Sequence, residues 1–289
     1  HNKYKNYKDS MSCLKTANNM KLNARPSNSL SLIKKSKYLY EITNNLSNIN
    51  YEKKNLFQSI FIVGMPRSGT TLLESILAVN PTTQALGENN ILEESFHEFN
   101  VYNEHSNLNK IYVSKVIQLI NKKTSVINKC LYNYQYAGII AKQISNVKII
   151  HCFRNPLDNI LSIYRAHFAN GNEYSSSFVD SAKVYLDHDN IMSEYKKLFR
   201  STIYDLNYDL LVKNPERIVK DLITWLGWKW NDTYLTPHIN MRSVSTASNV
   251  QVRAPINSNS VGGWKNYQQI LKPAIDIIIS SDKYLNLIN

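Results

Sequence analysis

Residues 64–71 read Gly-Met-Pro-Arg-Ser-Gly-Thr-Thr. Two glycines five positions apart enclose one guanidinium, and two hydroxyls follow: a set suited to holding a tetrahedral anion. Upstream, 60–63 is an apolar run of the buried-strand type. Downstream, Leu72, Leu73, Ile76 and Leu77 recur at helical spacing. A glycine-bounded loop between strand and helix turns backbone N–H groups and the positive end of the helix dipole onto one point, where phosphate or sulfate fits. Ser68, Gly69, Thr70 and Thr71 are the expected contacts. The glycine separation is that of a phosphate-binding P-loop, but Thr70 occupies the place of the usual Lys. Arg67 must then supply the charge. A purely structural turn shares the glycine spacing; the flanking strand and helix, with Arg and two Thr, favour anion binding.

A second pair stands further along. Residues 147–153 read as a buried strand, Asn155 as an N-cap, Pro156 as a first-turn residue and Asp158 as an early-helix acid. Arg154 then precedes the helix and Ser162 lies in its second turn, so both can reach one anionic group near the helix start. A third strand-to-helix unit runs from Thr202, Ile203 and Tyr204 through Tyr208 and Asp209; its helix opens at Pro215 and Glu216 and stops at Gly227. Repeated alternation predicts an α/β fold with a P-loop-like central parallel sheet flanked by helices. In such sheets ligands lie at the carboxyl ends of strands, where Arg67 and Arg154 both fall. Residues 1–57 are rich in Asn, Lys and Tyr, with helical spacing at Leu30, Ile33, Tyr38 and Ile42. They read as a short N-terminal helical appendage of two or three helices, broken near Arg25 and Pro26, to a domain of 58–289.

The 289 residues are 43% hydrophobic, enough for a sizeable core. No apolar stretch reaches the length of a membrane span and no signal peptide is visible, so a cytoplasmic location is expected; the start on His1 rather than Met points to residues upstream. The net charge is +12, but residues 1–57 carry 11 Lys/Arg against 3 Asp/Glu, which leaves only +4 for the other 232. That placement, without an Arg-rich run or a base-reading motif, argues against nucleic acid as a partner. Cys13, Cys130 and Cys152 match no metal or redox spacing and suggest buried thiols in a reducing compartment.

Taken together, the motifs resemble the sulfotransferase family. The 64–72 loop looks like its site for the 5′-phosphosulfate of 3′-phosphoadenosine 5′-phosphosulfate. Arg154-Asn155-Pro156 through Ser162 looks like its 3′-phosphate motif, and Tyr208-Asp209-Leu210-Leu211 with Pro215-Glu216 resembles its third segment. The likeness runs over roughly 58–275 with the motifs in family order. It is strongest to the branch of tyrosylprotein sulfotransferases and of bacterial sulfotransferases carrying N-terminal helical (TPR) repeats, of which 1–57 would be a remnant. Gly87-Glu88, Asn128-Lys129, Ser248, Arg253 and the 260–267 stretch support that branch.

The resemblance implies site residues. Glu88, 21 residues past Arg67, corresponds to the base that takes the acceptor's proton, and Lys129 to the cation on the leaving oxygen. Ser248 corresponds to a serine at the transferred sulfate; Arg253 and Lys265 to contacts with the donor's phosphates. Trp264 is either an adenine-stacking residue or core. One departure is Gly263, where the family often has a basic residue. Glu93 and Glu94 are read as a helix face. The implied co-substrate is 3′-phosphoadenosine 5′-phosphosulfate without a metal, and the partner a hydroxyl-bearing small molecule, carbohydrate or peptide; a homodimer is left open. Two other classes remain: a P-loop phosphotransferase, which the absent loop Lys disfavours, and a non-catalytic module binding through its basic N-terminal part.

Overall fold

The computed structural model describes residues 6–49, 57–101, 107–120, 123–166, 168, 171–239 and 253–288. At its centre lies a five-stranded sheet, all parallel, in the order β2-β3-β1-β4-β5. The strands are β1 (Gln58–Val63), β2 (Thr83–Ala85), β3 (Ser125–Lys129), β4 (Val147–Phe153) and β5 (Ile203–Asn207). Alternation along the strands feeds two cores. Phe61, Val63, Val126 and Ile149 face one side, and Ile60, Ile62, Ile127, Ile150 and Leu206 face the other. The second side is covered by α3 (Thr70–Leu77), α9 (Tyr208–Lys213) and α10 (Pro215–Leu226). The first is covered by α4 (Ile91–Val101), α5 (Leu108–Ile117), α6 (Ala137–Gln143), α7 (Pro156–Arg165), α8 (Phe178–Leu198) and α11 (Gln268–Ile278).

Register decides where the chemistry can sit. Ile62 pairs with both Lys129 and Ile150, and Phe153 pairs with Asn207. The strand ends therefore align, and the 64–69 loop, Lys129, Arg154 and Tyr208 emerge along one edge of the sheet. Three of the strands were expected from their apolar runs. β2 and β3 were not: β2 has three residues, and β3 carries Ser125, Asn128 and Lys129, all buried. Asn128 is satisfied by Asn133, whose Nδ2 donates to its Oδ1 at 3.0 Å, so a polar strand is stable inside.

The N-terminal helices are α1 (Tyr7–Ala24) and α2 (Ser29–Asn45), with the break at Arg25 and Pro26 as expected. On α2 the expected face is buried only in part, with Ile42 packed against the core. Leu30 and Tyr38 are 69% and 56% exposed, while Ser29, Ser36, Leu39 and Thr43 point inward. Small hydroxyl residues let α2 approach closely and still find partners: Gln135 Nε2 donates to Ser36 Oγ at 2.9 Å, and Thr43 Oγ1 donates to Leu39 O at 2.8 Å. Apolar periodicity alone missed this. The helices are also tied to the rest of the chain, through Asn18 Nδ2 to Tyr164 O and Ser10 Oγ to Tyr267 OH, each 3.0 Å.

The close approach has a critical point at Gly138 on α6. A Cβ there would lie 2.4 Å from the Tyr195 ring and 2.5 Å from Thr43 Cγ2. Tyr195 cannot swing away, because its hydroxyl donates to Gln135 O at 3.0 Å. Gly138→Ala is therefore expected to destabilise the fold despite the better helix propensity of Ala, by roughly 1–3 kcal/mol. Thermal denaturation checks this, and an unchanged or raised Tm would refute it.

Candidate functional site

The 64–69 loop is shaped by contacts that admit only glycine at its ends. A Cβ on Gly64 would lie 2.1 Å from Cys152 O, and one on Gly69 would lie 2.2 Å from Tyr208 Cδ2. Gly69 has φ 101° and caps α3 without a side-chain hydrogen bond, so the positive helix end stays open to an anion. Arg67 is left-handed as well, at φ 66°. The loop is pinned around this strained residue: Asn159 Nδ2 donates to Pro66 O and Cys152 Sγ to Ser68 O, both at 3.0 Å. Ser68 is 1% exposed, and among the described residues its Oγ has no hydrogen-bond partner. Thr70 and Thr71 form the first turn of α3.

Arg67 Nε donates to Ser162 Oγ at 3.2 Å. Burial, and next the charge of Arg154, lower the pKa of its guanidinium. Arg154, 5% exposed, is held from several sides. Its Nη2 donates to Ser260 O at 2.7 Å, Asp158 and Asp209 lie 3.8 Å away, and the Tyr208 ring centre is 4.8 Å from its Cζ. Its Nε is buried and has no hydrogen-bond partner among the described residues. Arg67, Arg154, Ser162, Gly69, Thr71 and Tyr208 line one cavity of about 380 Å³.

Its remaining wall is the segment 254–260, of which all but Ser258 line the cavity. Three bonds tie that segment down besides the Arg154 contact. Tyr208 OH and Ser260 Oγ are 3.0 Å apart, and Asp158 accepts from the amides of Gly262 at 2.6 Å and Trp264 at 2.9 Å. Asp158 is thus more than a helix-dipole acid. Burial raises its pKa, and the two amides work against that rise.

Arg165 also lines the cavity. It follows Ser162 by three residues on α7, hence the same helix face. That spacing was legible in the sequence but carries no motif. Among the described residues Arg165 has no carboxylate partner, and its guanidinium lies 5.7 Å from the Tyr267 ring centre.

Glu88 and Lys129 meet at the carboxyl end of β3, beside the middle of α3. Lys129 Nζ donates to Glu88 Oε1 at 2.8 Å and lies 3.8 Å from Glu74 Oε2. Lys129 is the last residue of β3 and 2% exposed, whereas the Glu88 side chain is 35% exposed. Glu74 was not anticipated, being a single acid within an apolar helix pattern. Glu93 and Glu94 lie on α4 as expected, Glu93 paired with Lys35 and Tyr136.

The C-terminal residues divide. Ser248 lies outside the described residues. Arg253 is exposed at the start of the cavity-lining segment but does not line it. Trp264 is 5% exposed and packs in the core. Lys265 is exposed and off the cavity wall. Asp158 draws the 262–264 backbone inward, which leaves Lys265, expected at the donor's phosphates, facing out from this wall.

A phosphate-shaped loop, two clamped arginines and a lysine–glutamate pair along one edge of a parallel sheet define a class, and the comparisons agree. The sulfotransferase family model matches residues 59–232, and the chain belongs to that family. A protein of Aquifex aeolicus (strain VF5), itself uncharacterised, is 32% identical over 250 residues. That match takes in 78% of this chain, which spans about a third (33%) of the relative's length. Among solved structures, the sulfotransferase domain of the Synechococcus PCC 7002 olefin synthase is 16% identical with a TM-score of 0.57, over 81% of this chain and 98% of that one. Mouse sulfotransferase SULT7A1, complexed with PAP, is 19% identical with a TM-score of 0.51, over 86% and 89%. These likenesses are of fold.

Proposed function

We propose that the chain transfers a sulfuryl group from 3′-phosphoadenosine 5′-phosphosulfate to a hydroxyl acceptor. The observation that carries this reading is the cavity where Arg67, Arg154 and Arg165 converge beside an open helix N-terminus. Three guanidiniums on one small cavity suit a ligand with anionic groups at more than one place. Ser68 Oγ and Arg154 Nε, buried without partners among the described residues, are polar atoms such a ligand would satisfy. The PAP complex of the mouse neighbour supports the same nucleotide.

Bound there, the donor would supply the sulfuryl group and a phosphate leaving group. Ser68, Gly69, Thr70, Thr71 and Arg67 would hold its 5′ end, and Arg154, Ser162 and Arg165 the 3′-phosphate. Glu88, exposed enough to meet an acceptor, would take the hydroxyl proton, and Lys129 would offset charge growing on the bridging oxygen. The roles of Ser248 and Arg253 in closing the site are part of the same proposal.

3′-Phosphoadenosine 5′-phosphate should raise Tm more than ATP with Mg²⁺, since only ligand bound to the folded state stabilises it. A larger shift with ATP and Mg²⁺ would favour a phosphotransferase. Arg154→Ala should weaken nucleotide binding by about 1.5–3 kcal/mol, the range for a charge-assisted hydrogen bond, and remove most preference for the 3′-phosphorylated nucleotide. Calorimetry that finds the preference intact overturns the 3′ assignment.

Glu88→Gln keeps size and hydrogen bonding but not the proton acceptor. Turnover should fall roughly 100-fold or more, with donor affinity little changed. The loss should be larger for an alkyl glucoside than for tyrosine methyl ester, because a phenol with a pKa of about 10 needs less help from a base. Normal turnover of both acceptors would remove Glu88 from the mechanism.

A further inference from the structure

Glu74 is a carboxylate in the middle of an apolar helix, and no step above uses it. It is 4% exposed, on the inward arc of α3 with Thr71, Leu73 and Leu77. A carboxylate buried there is costly unless a cation answers it. Among the described residues Lys129, itself 2% exposed, supplies such a cation, with its Nζ 3.8 Å from Glu74 Oε2. The same ammonium donates its hydrogen bond to Glu88 at 2.8 Å. Lys129 is thus held between two carboxylates in unlike surroundings, an inner one walled in by the core and an outer one open to solvent. At 3.8 Å the inner contact is one of charge.

We propose that Glu74 is a positioning residue for the sulfuryl transfer: the fixed, buried counter-charge that keeps the Lys129 ammonium at the end of β3 while Glu88 changes charge. The role rests on the sulfotransferase reading. In the transfer the acceptor's O–H proton goes to Glu88, and the acceptor oxygen bonds to sulfur. The sulfur–oxygen bond to the nucleotide breaks, with its electron pair staying on the phosphate oxygen. Glu88, now neutral, no longer balances Lys129 at the moment the leaving oxygen needs a cation. Glu74, walled in by the core, lies out of the acceptor's reach, so its contact with Lys129 is untouched by the proton transfer and Lys129 stays in place. The two glutamates therefore divide the work: the outer one handles the proton and the inner one anchors the cation.

The test uses the whole chain, labelled donor, and tyrosine methyl ester and an alkyl glucoside as acceptors. Glu74→Gln should lower kcat on the order of ten-fold, as removal of an outer partner of a catalytic ion does. The donor KM and the Tm rise given by 3′-phosphoadenosine 5′-phosphate should stay close to wild type. Glu74→Asp, which keeps the charge, should recover much of the loss. A wild-type kcat in Glu74→Gln, or parallel losses of kcat, donor binding and Tm, overturns the proposal. A stability cycle reads the pairing without turnover. Lys129→Met should lower Tm by removing the cation beside the buried carboxylate, and adding Glu74→Gln to it should raise Tm again. If the double variant melts no higher than Lys129→Met, the two groups are not coupled and the proposal fails. If wild type transfers to neither acceptor, the functional reading falls and the positioning role with it, while the stability cycle still reports on the ion pair.

Discussion

Everything at the sheet's carboxyl edge depends on one electrostatic constraint: several cations must be held close together, partly out of water, before any ligand arrives. Like charges at such distances repel, and desolvation disfavours each of them. The depressed pKa of Arg67, with burial first and Arg154 second among its causes, is that repulsion seen at one residue. The chain resolves it with acids anchored in the scaffold. Asp158 and Asp209 flank Arg154, and both also bind backbone: Asp158 the amides of Gly262 and Trp264, Asp209 the amide of Asn155 at 2.7 Å. The acids that make Arg154 tolerable are thus the ones that fasten the helix start and the cavity wall. Site and fold cannot be altered separately here.

Tyr208 extends the same economy of means. Its ring lies against Gly69, its π-face meets the Arg154 guanidinium, and its hydroxyl reaches Ser260. One side chain at the end of β5 therefore spaces the loop, supports the second arginine and holds down the 254–260 wall. Glycine at 69 is needed for that ring contact as much as for its backbone angle.

What the sequence made legible follows from which forces leave a pattern in one dimension. β1 and β4 are apolar runs, and α7 has its Asn155 cap, Pro156 and Asp158, so all three could be read directly. The loop with Arg67, and the Arg154–Ser162 pair, could be read because close backbone approach and charge restrict the residue types. β3 could not, since only Val126 and Ile127 there are apolar, and Asn128 and Lys129 are buried beside them with partners from elsewhere in the chain. The inward face of α2 was misread for a like reason, with Ser36 and Thr43 buried by hydrogen bonds rather than by hydrophobicity. Arg165 and Glu74 were passed over because a single charged residue on a helix is ordinarily solvated, and only tertiary contact tells the exceptions apart.

The missing basic residue at Gly263 becomes intelligible in those terms. A Cβ at 263 would point to within 3.7 Å of Asp158 Oδ1, the carboxylate already engaged by the two neighbouring amides and facing Arg154. A cation placed there would compete with Arg154 for the same acid, loosening the clamp it was meant to reinforce. Positive charge instead enters the cavity from α7, through Arg165, which among the described residues has no carboxylate partner to give up. Because Arg165 and Ser162 share a helix face, and Ser162 is bonded to Arg67, the third guanidinium is carried by the element that already aligns the first. With that charge carried by a helix, the C-terminal segment serves as a wall held by its backbone, with Asp158 as the common fastening.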